Sequence, residues 1–147
     1  MIINFKSVKT QLILYLACFA VFLAVKDRDA VFPTSIIIAV ISAIAIESLI
    51  LFVKTKAFRI TESSIISGLI IGYVLSSDNA LWIFILASVS AILSKHFIRL
   101  KQRHLFNPAA FGIFLSIILF GADTQWKGTY FWYILLPTTE TLQQQLG

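Results

Sequence analysis

The residues best placed to do chemistry lie in one short stretch, HLFNPAAFG, from His104 to Gly112. Asn is a favoured N-cap because its side-chain oxygen accepts a backbone N–H, and Pro suits the first helical position, where a missing N–H costs nothing. Asn107 and Pro108 therefore predict a helix that begins at Pro108. The run that follows is apolar, whereas Arg99, Lys101, Arg103 and His104 precede it. The positive end of a helix dipole beside a cationic strip attracts phosphate, carboxylate or a negatively polarised ring. The plainer reading is that any helix starting at a membrane interface needs such a cap.

Glu47 is the second candidate, set between Ile46 and Ser48 inside a long apolar run. A carboxylate at the centre of a bilayer costs roughly 2.5–3.5 kcal/mol on insertion scales, so it must face protein or water, be paired, or be protonated. That makes Glu47 a candidate for ion coupling; the alternative is a side chain that snorkels toward the nearby Lys54 end. Ala39, Ala43 and Glu47 recur every fourth residue and so share one helix face, as a packing stripe would. Ser67, Gly68 and Gly72 form a third set, SGLIIG, in which glycines four apart admit a neighbouring backbone or leave room for a flat ligand. Ala87, Ser88, Ser90, Ala91 and Ser94 make another run small and polar on part of its surface. Cys18 stands alone, and His96 and His104 lack ligand spacing, so no metal site is expected. No nucleophile with an adjacent base, no phosphate-cradling glycine loop and no hydrolase-like carboxylate pair can be placed.

These residues must be positioned by membrane helices. The 147 residues are 59% hydrophobic and only 13% charged, with a mean hydropathy of +0.90, which no soluble domain of ordinary composition shows. The apolar runs are Gln11 to Val25, Pro33 to Val53, Ser63 to Leu75, Ala80 to Ile98 and Pro108 to Phe120, with a further start at Tyr130 to Leu136. Only the second and fourth are expected to cross about 30 Å of hydrocarbon comfortably at about 1.5 Å per residue. The others must extend into polar flanks, stop partway or thin the bilayer. The predicted class is an all-α integral membrane protein of about five transmembrane helices, some short or broken, forming one membrane domain over residues 1–147 with a polar tail at 137–147. Lys26, Asp27 and Arg28 follow the first run directly and no small-x-small cleavage site is seen, so an uncleaved first span is expected. Half a span at the end suggests a shortened architecture.

Charge sets the expected orientation. With a cytoplasmic N-terminus and five crossings, Lys6, Lys9, Lys54, Lys56, Arg59, Lys95, Arg99, Lys101 and Arg103 fall inside, and Lys26, Arg28 and Lys127 outside. This obeys the positive-inside rule and places a multi-pass chain in the plasma membrane, with the turn Ser76 to Asn79 and Trp82, Trp126 and Trp132 near the outer boundary. The basic residues lie in short clusters between spans, so they report topology and contact with lipid headgroups, and no nucleic acid is expected as a partner.

The segments AIESLILFVKTK, SSIISGLIIGYVLS, LWIFILASVSAILSKHFI and LFNPAAFG, in this order and spacing, resemble the RnfD/NqrB family, membrane subunits of Rnf and Na+-translocating NADH:quinone reductase complexes. The resemblance covers about residues 35–126 and includes Glu47, the S-G-L-[LI] element at Ser67 to Ile70, Lys95 and the F-N-P-A element at Phe106 to Ala109. It implies a fold similar to urea and ammonia channels, built in the family from two related sets of five helices, of which this chain supplies the first. It also implies flavin-linked electron transport coupled to ion translocation, with riboflavin or FMN held noncovalently and Ser67, Gly68, Gly72, Lys95, Asn107 and Pro108 as the residues to test for cofactor binding. The S-G-A-T element whose Thr is esterified to FMN does not occur here, and Thr138, Thr139 and Thr141 sit in another context, so no covalent FMN is expected. The family's G-L-G-Q-N before F-N-P is replaced by IRLKQRH at Ile98 to His104, basic and bulkier. Expected partners are the lipid bilayer and either other membrane subunits of an electron-transport complex or further copies of the chain. The rival readings are half of a small-solute transporter or channel, and a scaffold without ligand; fold-level analogy alone does not separate them. If the chain belongs to an enzyme, it is expected to be a non-autonomous subunit of an ion-translocating oxidoreductase complex.

Overall fold

A computed structural model describes residues 7–27, 30–100, 103–104 and 107–124. Five helices dominate it: α1 (Val8–Asp27), α2 (Val31–Thr55), α3 (Glu62–Val74), α4 (Leu81–Phe97) and α5 (Pro108–Phe120). Between α4 and α5 lies a two-residue antiparallel ladder, β1 (Arg99–Leu100) and β2 (Arg103–His104), in which Arg99 pairs with His104 and Leu100 with Arg103.

Local chemistry sets both ends of α5 and the start of α3. At α3, Thr61 is the N-cap and its side chain accepts the Ser64 N–H at 3.3 Å. Asn107 does the same for α5, accepting from Ala109 at 3.1 Å with Pro108 in the first turn, as expected from the sequence. Gly121, at φ 61°, closes α5 in the left-handed region that glycine enters without penalty.

Helix lengths correct one expectation. The two helices long and apolar enough to cross a membrane are the first and second, Val8–Lys26 and Val31–Thr55, not the second and fourth. The polar flanks Lys9 and Lys26 join α1 and bring it to 20 residues, whereas α4 stops at 17 because the chain leaves at Ile98 for the ladder. At 13 residues each, α3 and α5 cover only about 20 Å. The outward faces of α1 and α5 nonetheless expose Val21, Phe22, Val25, Phe114, Ile118 and Leu119, which suits hydrocarbon and not water.

Small residues decide how the helices meet. Gly68 and Gly72 press α3 against α2 so closely that a Cβ at Gly68 would lie 2.6 Å from Val40 Cα and one at Gly72 2.8 Å from Ile36 Cα. On the opposite face of the bundle Gly112 brings α5 onto α4, where a Cβ would sit on the Ala87 carbonyl. The Ser88 hydroxyl donates to the Ala39 carbonyl of α2 at 3.0 Å, a buried bond between helices. Ser35, Ser42, Ser90 and Ser116 instead donate to carbonyls one turn back in their own helices, so they occupy apolar contacts without an unsatisfied hydroxyl. The resulting core is rich in alanine, with Ala39, Ala87, Ala91 and Ala109 around Ile71, Leu75 and Phe84. A second cluster, Leu23, Phe32, Ile36, Leu69 and Tyr73, holds α1 to α2 and α3, and the Tyr73 hydroxyl donates to the Leu16 carbonyl.

The ends of the bundle differ. At one, the Ser76 to Asn79 turn is clasped to the exit of α5: Leu75 bridges Thr124, the Ser76 N–H donates to Asp123 O at 2.9 Å, and the Asn79 amide donates to Asp123 O at 2.7 Å. Trp82 meets the Phe120 ring edge-on at 5.1 Å at this end. Trp126, Trp132 and the 137–147 tail lie outside the described residues. At the other end α4 stops, α3 and α5 begin, and α2 continues for two further turns.

Candidate functional site

Where α4 stops, its last turn meets the buried face of α2. The expected stripe Ala39, Ala43 and Glu47 is buried throughout, and Glu47 is only 2% exposed. The Lys95 ammonium donates to Glu47 Oε1 at 2.8 Å, and His96 Nε2 stands 3.3 Å from Glu47 Oε2. Lys95 is 11% exposed and His96 5%. Both Glu47 Oε2 and His96 Nε2 are buried without a hydrogen bond of good geometry. Three titratable side chains thus meet in a largely buried cluster, with one carboxylate oxygen bonded to an ammonium and the other facing the His96 ring.

Glu47 is paired, as a carboxylate inside a membrane must be, but not in the snorkelling arrangement: its cation comes from α4, and Lys54 is exposed. The structure joins Glu47 to Lys95, residues to which the sequence assigns separate roles in ion coupling and cofactor binding. It adds His96, for which spacing offers no acid. The only signal for it in the sequence is a Lys-His pair in the last turn of a helix, too common to weigh.

The remaining candidate residues are divided between two places. Ser67, Gly68 and Gly72 are buried on α3, and the face of the two glycines is occupied by α2, which accounts for their spacing as helix packing. Asn107 lies beyond α4 at the open start of α5 and lines a cavity of about 400 Å³ with Ala110, Phe111 and Phe114. None of Ser67, Gly68, Gly72 or Lys95 belongs to that lining. Arg99, Arg103 and His104 belong to the ladder that leads into this helix start, and Lys101 and Phe106 lie outside the described residues. Thr138, Thr139 and Thr141 lie outside them as well. Gly112, the last residue of HLFNPAAFG, is a packing residue to which the motif itself gives no role, although Ala109, Gly112 and Ser116 repeat small residues every three or four positions.

A sequence profile of the NQR2, RnfD, RnfE family matches residues 3–141. No curated protein and no solved structure shows a significant match.

Proposed function

The chain belongs to the NQR2, RnfD, RnfE family, and from that premise we propose that this membrane protein takes part in flavin-linked electron transport coupled to ion translocation as one subunit of a larger assembly. The observation that carries the reading is the cluster of Glu47, Lys95 and His96. Buried ion pairs add little net stability, because desolvating the charges offsets their attraction, and ionisable groups inside membranes mark ion pathways. In this reading an arriving cation would compete for Glu47 Oε2, the oxygen that Lys95 does not bond and that His96 Nε2 faces at 3.3 Å. Its charge weakens the hold of Glu47 on the Lys95 ammonium, whose flexible stem can then turn toward the water at the end of the bundle. In this reading the end carrying Lys54, Lys56, Arg59 and Lys95 faces the cytoplasm, in keeping with its excess of Lys and Arg.

Glu47→Gln tests the coupling, since the amide keeps the shape and still accepts from Lys95 but holds no charge. In membrane vesicles containing the chain with its partner subunits, redox-driven ion uptake should fall roughly tenfold, within the usual range for coupling between sites, while electron transfer continues. Unchanged uptake with unchanged pH dependence would leave Glu47 a structural residue.

The start of α5 is where this reading puts the flavin. The cavity beside Asn107 lies within the roughly 300–1,000 Å³ typical of small-molecule sites, and Phe111 and Phe114 offer apolar walls for a planar ring. Asn107 Oδ1 is engaged in capping, which leaves the Nδ2 amide as the donor for a polar ring edge. A bound flavin would supply the one- and two-electron chemistry that no side chain here provides. Asn107→Ala should cost about 1 kcal/mol of stability through the lost cap. Asn107→Asp keeps the cap acceptor but removes the amide donor and adds charge, so it should melt like wild type while losing the flavin that gentle purification retains. Equal flavin release from wild type and Asn107→Asp on denaturation would remove the site from this helix start.

A further inference from the structure

The loop between α2 and α3 shelters a cavity of about 600 Å³, separate from Asn107 and from Glu47, lined by Ile44, Ser48, Phe58, Arg59, Ile60 and Thr61. We propose that this cavity binds an anionic phospholipid, its phosphate at Arg59 and its hydrocarbon along Ile44, Phe58 and Ile60.

The loop is built to hold that shape. Lys56 ends α2 in the left-handed region at φ 56°, with its N–H on the Phe52 carbonyl at 2.8 Å, which turns the chain back sharply. The Ser48 hydroxyl then donates to the Arg59 carbonyl at 3.3 Å, and Phe58 stacks on Phe52 with ring centroids 4.5 Å apart. These contacts fix the loop across the side of α2 and leave the space beneath it.

Charge and hydrocarbon are both present and both exposed. Lys54, Lys56 and Arg59 are exposed at the end of α2 and in the loop that follows, Arg59 alone of the three lining the cavity, and no salt bridge joins them to an acid among the described residues. Glu62, the nearest acid in sequence, accepts from the Thr10 hydroxyl at 2.7 Å. A guanidinium at a cavity wall is suited to phosphate, two lysines close by in sequence add to the local positive field, and basic pockets between membrane helices hold anionic headgroups. A free phosphate would leave the apolar wall unused. Phe58 at 74% and Ile60 at 51% exposure gain from a ligand that carries a chain as well as a charge.

The test is lipid retention by the full chain, measured by native mass spectrometry from micelles doped equally with phosphatidylglycerol and phosphatidylcholine. Wild type should keep phosphatidylglycerol preferentially. Arg59→Gln should lower that retention about fivefold, the effect of one cation near an anionic headgroup. Lys26→Gln, at the opposite end of the bundle, should leave it unchanged, and excess inorganic phosphate should not displace the lipid. Equal retention of the two lipids overturns the proposal, as does an equal loss in Lys26→Gln, which would mark diffuse attraction. Displacement by inorganic phosphate overturns it in favour of a free-anion site.

Discussion

Lys95→Met should destabilise the protein by about 3–5 kcal/mol, the cost of leaving one member of a buried ion pair without its partner. Glu47 is 2% exposed, and without the ammonium at 2.8 Å its only charged or chargeable neighbour within salt-bridge distance among the described residues is His96, at 3.3 Å and without good hydrogen-bond geometry. The methionine itself fits the apolar surroundings, so the loss comes from the stranded carboxylate and not from packing. Glu47→Gln combined with Lys95→Met removes both charges and should recover much of the stability. Thermal or denaturant unfolding in mild detergent measures the four corners of this cycle, and a large coupling energy is expected because the two groups touch. If Lys95→Met unfolds within about 0.5 kcal/mol of wild type, as a surface change does, the carboxylate is not held in the buried pair.

Gly112→Leu should prevent α5 from docking. Even a single methyl group at this position would collide with the Ala87 carbonyl and lie 3.0 Å from Ala91 Cβ, and a main-chain carbonyl inside a helix cannot rotate away. Gly112→Ala alone should therefore cost about 1–3 kcal/mol, the usual penalty for overpacking, and leucine more. The damage would reach the site, because the Gly112 contact seats α5 against α4 and so places Asn107 beyond the last turn that carries Lys95 and His96. Gly121 supplies the control. It ends the same helix, and a Cβ there would meet nothing within 4 Å, so Gly121→Asn, which tolerates the left-handed conformation, should be nearly neutral. A Gly112→Leu protein that unfolds like wild type would show that the α4–α5 contact does not hold the bundle together.

What can be read without the structure is what a helix decides within itself. Asn107 and Pro108 start α5 because a cap bonds its own first turn, and the apolar runs become helices because a backbone in hydrocarbon must satisfy its own hydrogen bonds. Ala39, Ala43 and Glu47 fall on one buried face because the helical period puts them there. The order of motifs also carries the family, which the match over residues 3–141 shows.

The partners across that face follow no such rule. Lys95 is 48 residues from Glu47, and it reaches the carboxylate only because α2 and α4 run in the same direction with Ser88 seated on the Ala39 carbonyl. His96 enters the cluster for the same reason. The backbone approaches at Gly68, Gly72 and Gly112 set the depth and rotation of each helix against its neighbour, and they depend on every contact in the bundle at once. Which residues are polar, small or capping is legible in the chain, since those are properties of a residue and its own turn. Tertiary packing alone decides which of them meet, since a charge finds its partner only after the helices carrying both have been set in register.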